Sequence, residues 1–230
     1  MSFIGAFVRA VLVPVKAPSS AKQRLATVLS SEERIALTWA MLKDVGRALA
    51  GAKLVDRIVM VTNDPVAIQY ALEQSWEVLQ EDQQISESYS VDWASSCLMK
   101  QGATVVLRLP GDIPLLRAED VDSLLSIELT SSAALLVPSR DGSGTNALLR
   151  KPPDAFPSRF GPNSFRLHRQ EASQAGVALK VIENPRIALD IDDITDLAVF
   201  WAQERDTLTA RVIKDLHLAE KLQERNHAAS

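Results

Sequence analysis

The chain has one cysteine, Cys97. No intramolecular disulfide can form, and a lone thiol is a poor start for a zinc site. Glycine-rich phosphate loops are missing too. There is no GxxxxGK[ST] stretch and no GxGxxG turn, the two signatures that would identify such a loop most specifically. Excess positive charge is lacking: 25 Lys and Arg stand against 29 Asp and Glu, for a net charge of −4. That argues against a broad nucleic-acid-binding surface. Long apolar runs are also absent. The stretch 3–15 is broken by Arg9 and closed by Pro14 and Lys16, too short to span a bilayer. It has neither a charged region before it nor a small-residue cleavage site. It reads as a buried first strand of a cytoplasmic protein with no membrane partner.

What is present fits a globular enzyme. Apolar residues make up 47% and charged residues 23% of 230, enough for one α/β domain with a real core. Short β-like runs alternate with helical ones. Strands are expected at 9–15, 57–62, 76–79, 104–109, 133–137, 147–149, 177–182 and 187–191. Ser30 and Glu33 have capping-box spacing ahead of Ile35, Trp39, Leu42, Val45 and Leu49, which recur at helical intervals. Asp64-Pro65 reads as N-cap and first residue of another helix. Further helices are expected at 91–101, 117–127 and 163–175, and a helical C-terminal segment at 194–225, in two pieces. No linker or repeat divides the chain, so 1–230 reads as one domain. Continuous apolar strands alternating with helices imply a mostly parallel sheet covered on both faces. Ligands then bind beyond the carboxyl ends of the strands.

That rule selects the residues to weigh. Asp112 follows the strand 104–109 within Pro110-Gly111-Asp112-Ile113-Pro114; a turn Asp capping the next helix would look the same. If 187–192 is extended, Asp190 and Asp192 share a face with Cα atoms about 6.6 Å apart. Carboxylates that close repel unless a cation lies between them. Magnesium, which takes one or two carboxylates plus substrate oxygens, would serve, with Asp112 as a third ligand. Asp193 fits an N-cap instead. Lys16, Lys22 and Arg24 follow the first strand, and a helix starting near Pro18-Ser19-Ser20-Ala21 would add backbone N–H groups for a polyphosphate. The alternative for these cations is an ordinary solvated face. Gly144-Thr145-Asn146 and Phe160-Gly161-Pro162-Asn163-Ser164 are bends able to hold an anion. Ser164 and His168 lie four apart on one helix face, although a structurally bonded His is the commoner fate.

Together these stretches resemble the 2-phospho-L-lactate or phosphoenolpyruvate guanylyltransferases of deazaflavin coenzyme F-420 biosynthesis, relatives of the MobA-like nucleotidyltransferases. The matching segments are VPVKAPSSAKQRL (13–25), ERIALTWAMLKDV (33–45), LPGDIPLL (109–116), DGSGTNALL (141–149), FGPNSFRLH (160–168) and LDIDDITDL (189–197). The resemblance implies a Rossmann-like three-layer fold with a mixed, mostly parallel sheet. It implies transfer of GMP from GTP to a small phosphoacid, phosphoenolpyruvate, 2-phospho-L-lactate or 3-phosphoglycerate, with pyrophosphate leaving. By matched position, Asp112, Asp190 and Asp192 would hold Mg2+ or Mn2+. Lys16, Lys22 and Arg24 would face the triphosphate, with Asp112 also catalytic. Thr145, Asn146, Gly161, Ser164 and His168 would form the acid site. The downstream deazaflavin transferase is an implied partner, and a homodimer is left open. The glycine-rich LxGGxSxRxG loop of MobA-like enzymes is missing, which favours the F-420 branch. Many family members carry Gly-Leu-Asn opening the helix before the LPxDxP strand. Here 85–91 reads ISESYSV, so the segment expected to border the nucleotide departs from the pattern and leaves guanine preference open. A different nucleotide, a sugar or pterin acceptor, and a non-catalytic nucleotide-binding paralogue remain alternatives.

Overall fold

The computed structural model describes residues 7–17, 22–203 and 206–218. A seven-stranded sheet runs through the molecule in the order β3-β2-β1-β4-β6-β5-β7. In chain order the strands are β1 Arg9–Pro14, β2 Arg57–Thr62, β3 Glu77–Gln80, β4 Val105–Arg108, β5 Ala133–Pro138, β6 Thr145–Lys151 and β7 Ala178–Val181. All neighbours pair in parallel except β6, which runs antiparallel to both β4 and β5. The expected mixed, mostly parallel sheet is therefore present.

Alternation along β1 shows how the sheet is covered. Val11 and Val13 pack with Leu42, Val45 and Leu49 of α1 (Ser31–Gly51) and with Val121 and Leu124 of α4 (Ala118–Ser126). Ala10 and Leu12 point the other way, onto Val91, Ala94 and Leu98 of α3 (Glu87–Lys100). With a period of two, a strand covered on both faces must be apolar throughout. The second face continues over Ala134, Leu136 and Leu148, which meet Ala172 of α5 (Ser164–Gln174).

Local signals behave as the residues dictate. Ser30 and Glu33 form the reciprocal capping box, and Asp64 caps α2 (Pro65–Glu73), with Pro at its start. The C-terminal α7 (Ile194–Gln203) and α8 (Leu208–Asp215) bury Leu197, Phe200, Ala210 and Ile213 against Leu37 and Met41 on the outer side of α1. Buried Asp44 of α1 accepts the N–H groups of Leu208 and Thr209 and the Thr209 hydroxyl, at 2.7–2.9 Å. This ties the C-terminal segment to the core. The expectation of helix as far as residue 225 runs partly outside the described residues, as does the helix start at 18–21.

One expected strand is absent. Residues 187–191 do not join the sheet. Asn184 accepts from the N–H groups of Arg186 and Ile187, and Pro185 supplies a helical φ, so Pro185–Ala188 forms a single helical turn, α6. Arg186 then ion-pairs with buried Asp120 of α4. The apolar run Ile187, Leu189, Ile191 is core filling, not sheet: all three are fully buried.

Candidate active site

A cleft of about 820 Å3 opens at the carboxyl rim of β1, β2 and β4. Because β6 runs the opposite way, its first residues, Thr145 and Asn146, meet that same rim. The sheet's one antiparallel strand thus brings the two halves of the site together.

Asp112 follows β4 and lines the cleft with Asp190 and Asp192. The last two sit on no strand, yet they face one way because Leu189 and Ile191 are drawn into the core on the other side. The Ile191 N–H donates to the Asp112 carbonyl at 3.1 Å, joining the two acidic segments. Asn146 steadies the first: its side-chain amide donates to Asp190 Oδ1 and to the carbonyls of Ile187 and Ala188, each at 3.0 Å. Asp193 accepts from the N–H groups of Thr195 and Asp196, so it starts α7 as its N-cap.

The ammonium of Lys22 lies between two of the carboxylates, 2.6 Å from Asp112 Oδ2 and 2.7 Å from Asp192 Oδ1. Burial alone would lower its pKa. The charges of Asp112 and Asp192 outweigh that and raise it above the ordinary lysine value. Burial likewise works against ionised Asp192, but Lys22 and then Arg24 keep its pKa below the usual value. Asp190 has no such partner among the described residues. Burial, with the neighbouring charges of Asp112 and Asp192, lifts its pKa to about 6. Lys22 holds a left-handed backbone conformation, φ 55°, costly for a residue with a Cβ.

Among the described residues, no three acidic, His or Cys side chains form a ready-made metal cage. The donor set still suits a cation. Among the described residues Asp112 Oδ1 is buried with no hydrogen-bond partner, Asp190 faces no cation, and all the donors are hard carboxylate oxygens. Asp112, Asp190 and Asp192 are the residues that would hold a divalent ion.

The opposite wall suits an anion through its helix dipole and its hydroxyls, since the Ser164 and Phe165 N–H groups already donate to the Gly161 and Ser143 carbonyls, at 3.1 Å each. Gly161, Pro162, Asn163 and Ser164 line the cleft where α5 begins, and a helix N-terminus favours negative charge. Gly161 has φ +117° and Asn163 φ +59°, so the turn needs residues tolerant of positive φ. Across from it, the turn 139–144 is braced by Asp141, which accepts from the hydroxyls of Ser139 and Ser143 and from the Ser143 N–H. Those donors, led by Ser139, hold its pKa at about 2.

His168 does not reach the cleft. It is fully buried behind the wall, and burial, then Arg108, Arg150 and Arg159, push its pKa down to about 3. Its Nε2 accepts the Arg159 N–H at 2.8 Å, so in the neutral ring Nδ1 carries the proton and donates to Thr145 Oγ1 at 3.0 Å. The Thr145 hydroxyl keeps its own proton for the cleft. His168 is a positioning residue, not a ligand-contacting one.

The match to the model of the family described as "Guanylyl transferase CofC like" extends over residues 9–229. The chain belongs to that family. It is 38% identical over 187 residues to the phosphoenolpyruvate guanylyltransferase of Rubrobacter xylanophilus, covering 81% of this chain and 90% of that one. It is 34% identical to the 3-phospho-D-glycerate guanylyltransferase of Phenylobacterium zucineum, with 89% and 95% covered. Another relative carries the name 2-phospho-L-lactate guanylyltransferase. A solved structure described as a putative nucleotide-diphospho-sugar transferase from Desulfovibrio desulfuricans superposes with TM-score 0.76 at 17% identity, covering 94% of this chain and 97% of that one, which supports the fold.

As a CofC-like family member the chain is a nucleotidyltransferase, and its cleft contains more than sequence reasoning found. Lys16, Lys22, Arg24, Asp112, Thr145, Asn146, Gly161, Ser164, Asp190 and Asp192 all line one cavity. Arg108, Glu81 and Glu87 line it too and were missed. Arg108 ends a strand that reads VVLR; its guanidinium is buried under the Phe160 ring, 4.3 Å from the centroid, and pairs with Glu87. A charged residue inside an apolar strand was the available signal. Among the described residues, no helix is long and apolar enough to cross a membrane.

Proposed function

We propose that the chain transfers GMP from GTP to a three-carbon phosphoacid, with a divalent metal, magnesium or manganese, and with release of pyrophosphate. The observation that carries this reading is the pairing, across one cleft of a CofC-like chain, of a three-carboxylate wall with an anion-receiving helix start. Phosphoryl-type transfer is mostly positioning and charge stabilisation. The acid's phosphate oxygen attacks the α-phosphorus of GTP, the bond to the β-phosphate oxygen breaks, and pyrophosphate leaves with that electron pair. Two anions must approach each other, so positive charge has to offset their repulsion. Lys16, Lys22 and Arg24 face the triphosphate side. A bound metal, held by Asp112, Asp190 and Asp192, supplies Lewis-acid charge neutralisation. Thr145, Gly161 and Ser164 seat the acid's phosphate, with Asn146 and His168 fixing the parts around them. No general base is required, because a phosphate monoester is already largely ionised near neutral pH, its second pKa being about 6.

The relatives' names include three acids, so the acid is decided by experiment. Pyrophosphate release is measured with GTP and magnesium, offering phosphoenolpyruvate, 2-phospholactate and 3-phosphoglycerate separately. The deazaflavin transferase that follows in coenzyme F-420 biosynthesis is included, with its acceptor, to trap product. Release that depends on one acid is the expected result. A folded chain that releases none with any acid overturns the reading.

The acid pocket has its own test. Ser164 is buried at the start of α5, and an indole there would fill the anion seat. Ser164→Trp is expected to raise KM for the acid by about tenfold or more while KM for the nucleotide moves much less. Equal changes in both would mean that the acid binds elsewhere.

A further inference from the structure

Glu81 is a carboxylate with no assigned task. It follows β3 and is 4% exposed, yet it lines the cleft beside Val15 and Val61. Its described partners are both neutral. Ser90 Oγ of α3 donates to Oε2 at 2.6 Å, and Gln84 Nε2 donates to Oε1 at 3.1 Å. Gln84 is held in turn by the Val15 carbonyl, at 3.2 Å. Burying an anion against neutral donors costs stability, and such a group calls for an explanation in function.

The geometry suggests one. Each carboxylate oxygen has two acceptor positions, and Ser90 and Gln84 take one on each oxygen. One acceptor position per oxygen remains. That pair suits a ligand edge with two adjacent N–H donors. Among the common nucleobases, guanine has such an edge, its N1–H and 2-amino groups. Adenine places a ring-nitrogen acceptor there, which would face the carboxylate lone pairs. Hypoxanthine has N1–H but lacks the amine. Val15 supplies apolar surface for the ring. Lys16, next to Val15, leads towards the phosphate-facing cations.

We infer that Glu81, held by Ser90 and Gln84, reads the N1–H and 2-amino edge of guanine and makes this nucleotidyltransferase select GTP. The inference rests on the guanylyl-transfer reading and adds a specificity-determining residue to it. It also accounts for the unusual 85–91 segment: Ser90, at the end of that stretch, takes part in nucleotide selection by orienting Glu81.

The test is binding, measured by calorimetry with magnesium and no acid, so that it does not depend on turnover. The unaltered chain is expected to bind GTP about tenfold or more tightly than inosine triphosphate, in line with the loss of one arm of a bidentate base contact. It should bind 1-methyl-GTP at least as poorly. It should bind 7-deaza-GTP, altered on the opposite edge, like GTP. In Glu81→Gln the ratio of GTP to inosine triphosphate affinity should fall to within about threefold. A Glu81→Gln chain that keeps the preference, or an unaltered chain that accepts 1-methyl-GTP as readily as GTP, overturns the inference and leaves guanylyl transfer standing. A chain that prefers ATP, CTP or UTP overturns both. The analogue series on the unaltered chain decides the matter even if the variant does not fold.

Discussion

Asp190→Asn is expected to abolish turnover and, in the metal-free chain, to raise stability. Both effects follow from one group. Asp190 is buried, faces Asp112 and Asp192, and has its pKa raised from 3.8 to about 6. The folded chain therefore holds a proton that the unfolded chain has released between about pH 4 and 6. A carboxyl in that position loses stability as pH rises through that window and stays penalised above it. Asparagine keeps the shape, and its Oδ1 can still accept from Asn146, but it does not ionise. The gain is about 2–3 kcal/mol at neutral pH, roughly 4–12 °C in Tm for a chain of this size. Below about pH 3 the difference should vanish.

Activity should move the other way. Removing one of three carboxylates from the metal position is expected to cost about a hundredfold or more in kcat. Magnesium should raise the Tm of the unaltered chain and do little for the variant. A folded Asp190→Asn chain with unchanged turnover at saturating magnesium would remove Asp190 from the site. Equal melting of the two chains at neutral pH would mean that the repulsion is relieved some other way.

Much of this architecture could be read from the sequence, because the strongest signals are local. The capping box at Ser30, Pro65 after Asp64, and the doubly covered runs of β1 and β4 depend on near neighbours. The pair Asp190 and Asp192 does share one face of the cleft, but not for the reason alternation suggests. Alternation ordinarily indicates a strand, because a period of two is the commonest reason for alternate residues to share a face. Here the same alternation arises from an irregular segment pinned between the core and the Asp112 carbonyl. What stayed hidden depends on distant partners. Arg108 and Glu87 are 21 residues apart, and Lys22 reaches Asp192 across 170. Glu81 has no motif around it, and its meaning comes only from the cleft it lines.

Lys22→Met should have the second large effect. Lys22 holds two of the three carboxylates, so its loss leaves Asp112 with neither oxygen paired and Asp192 without its nearest cation. Both carboxylates are partly open to water, with side-chain exposures of 28% and 46%, which limits the cost. We expect the metal-free chain to lose about 1–2 kcal/mol, roughly 2–8 °C in Tm. Turnover should fall about a hundredfold or more, since a cation facing the triphosphate is gone. Lys22→Arg should not restore it, because a planar fork does not fit a seat shaped for a compact ammonium. The deciding observation is the response to magnesium. The ammonium and a divalent ion use the same carboxylates, so removing the ammonium should make the metal's stabilising shift larger in Lys22→Met than in the unaltered chain. A smaller shift in the variant would show that Lys22 helps to build the metal position instead of competing for it. The three-carboxylate assignment would then have to be drawn again with Asp192 serving Lys22 alone.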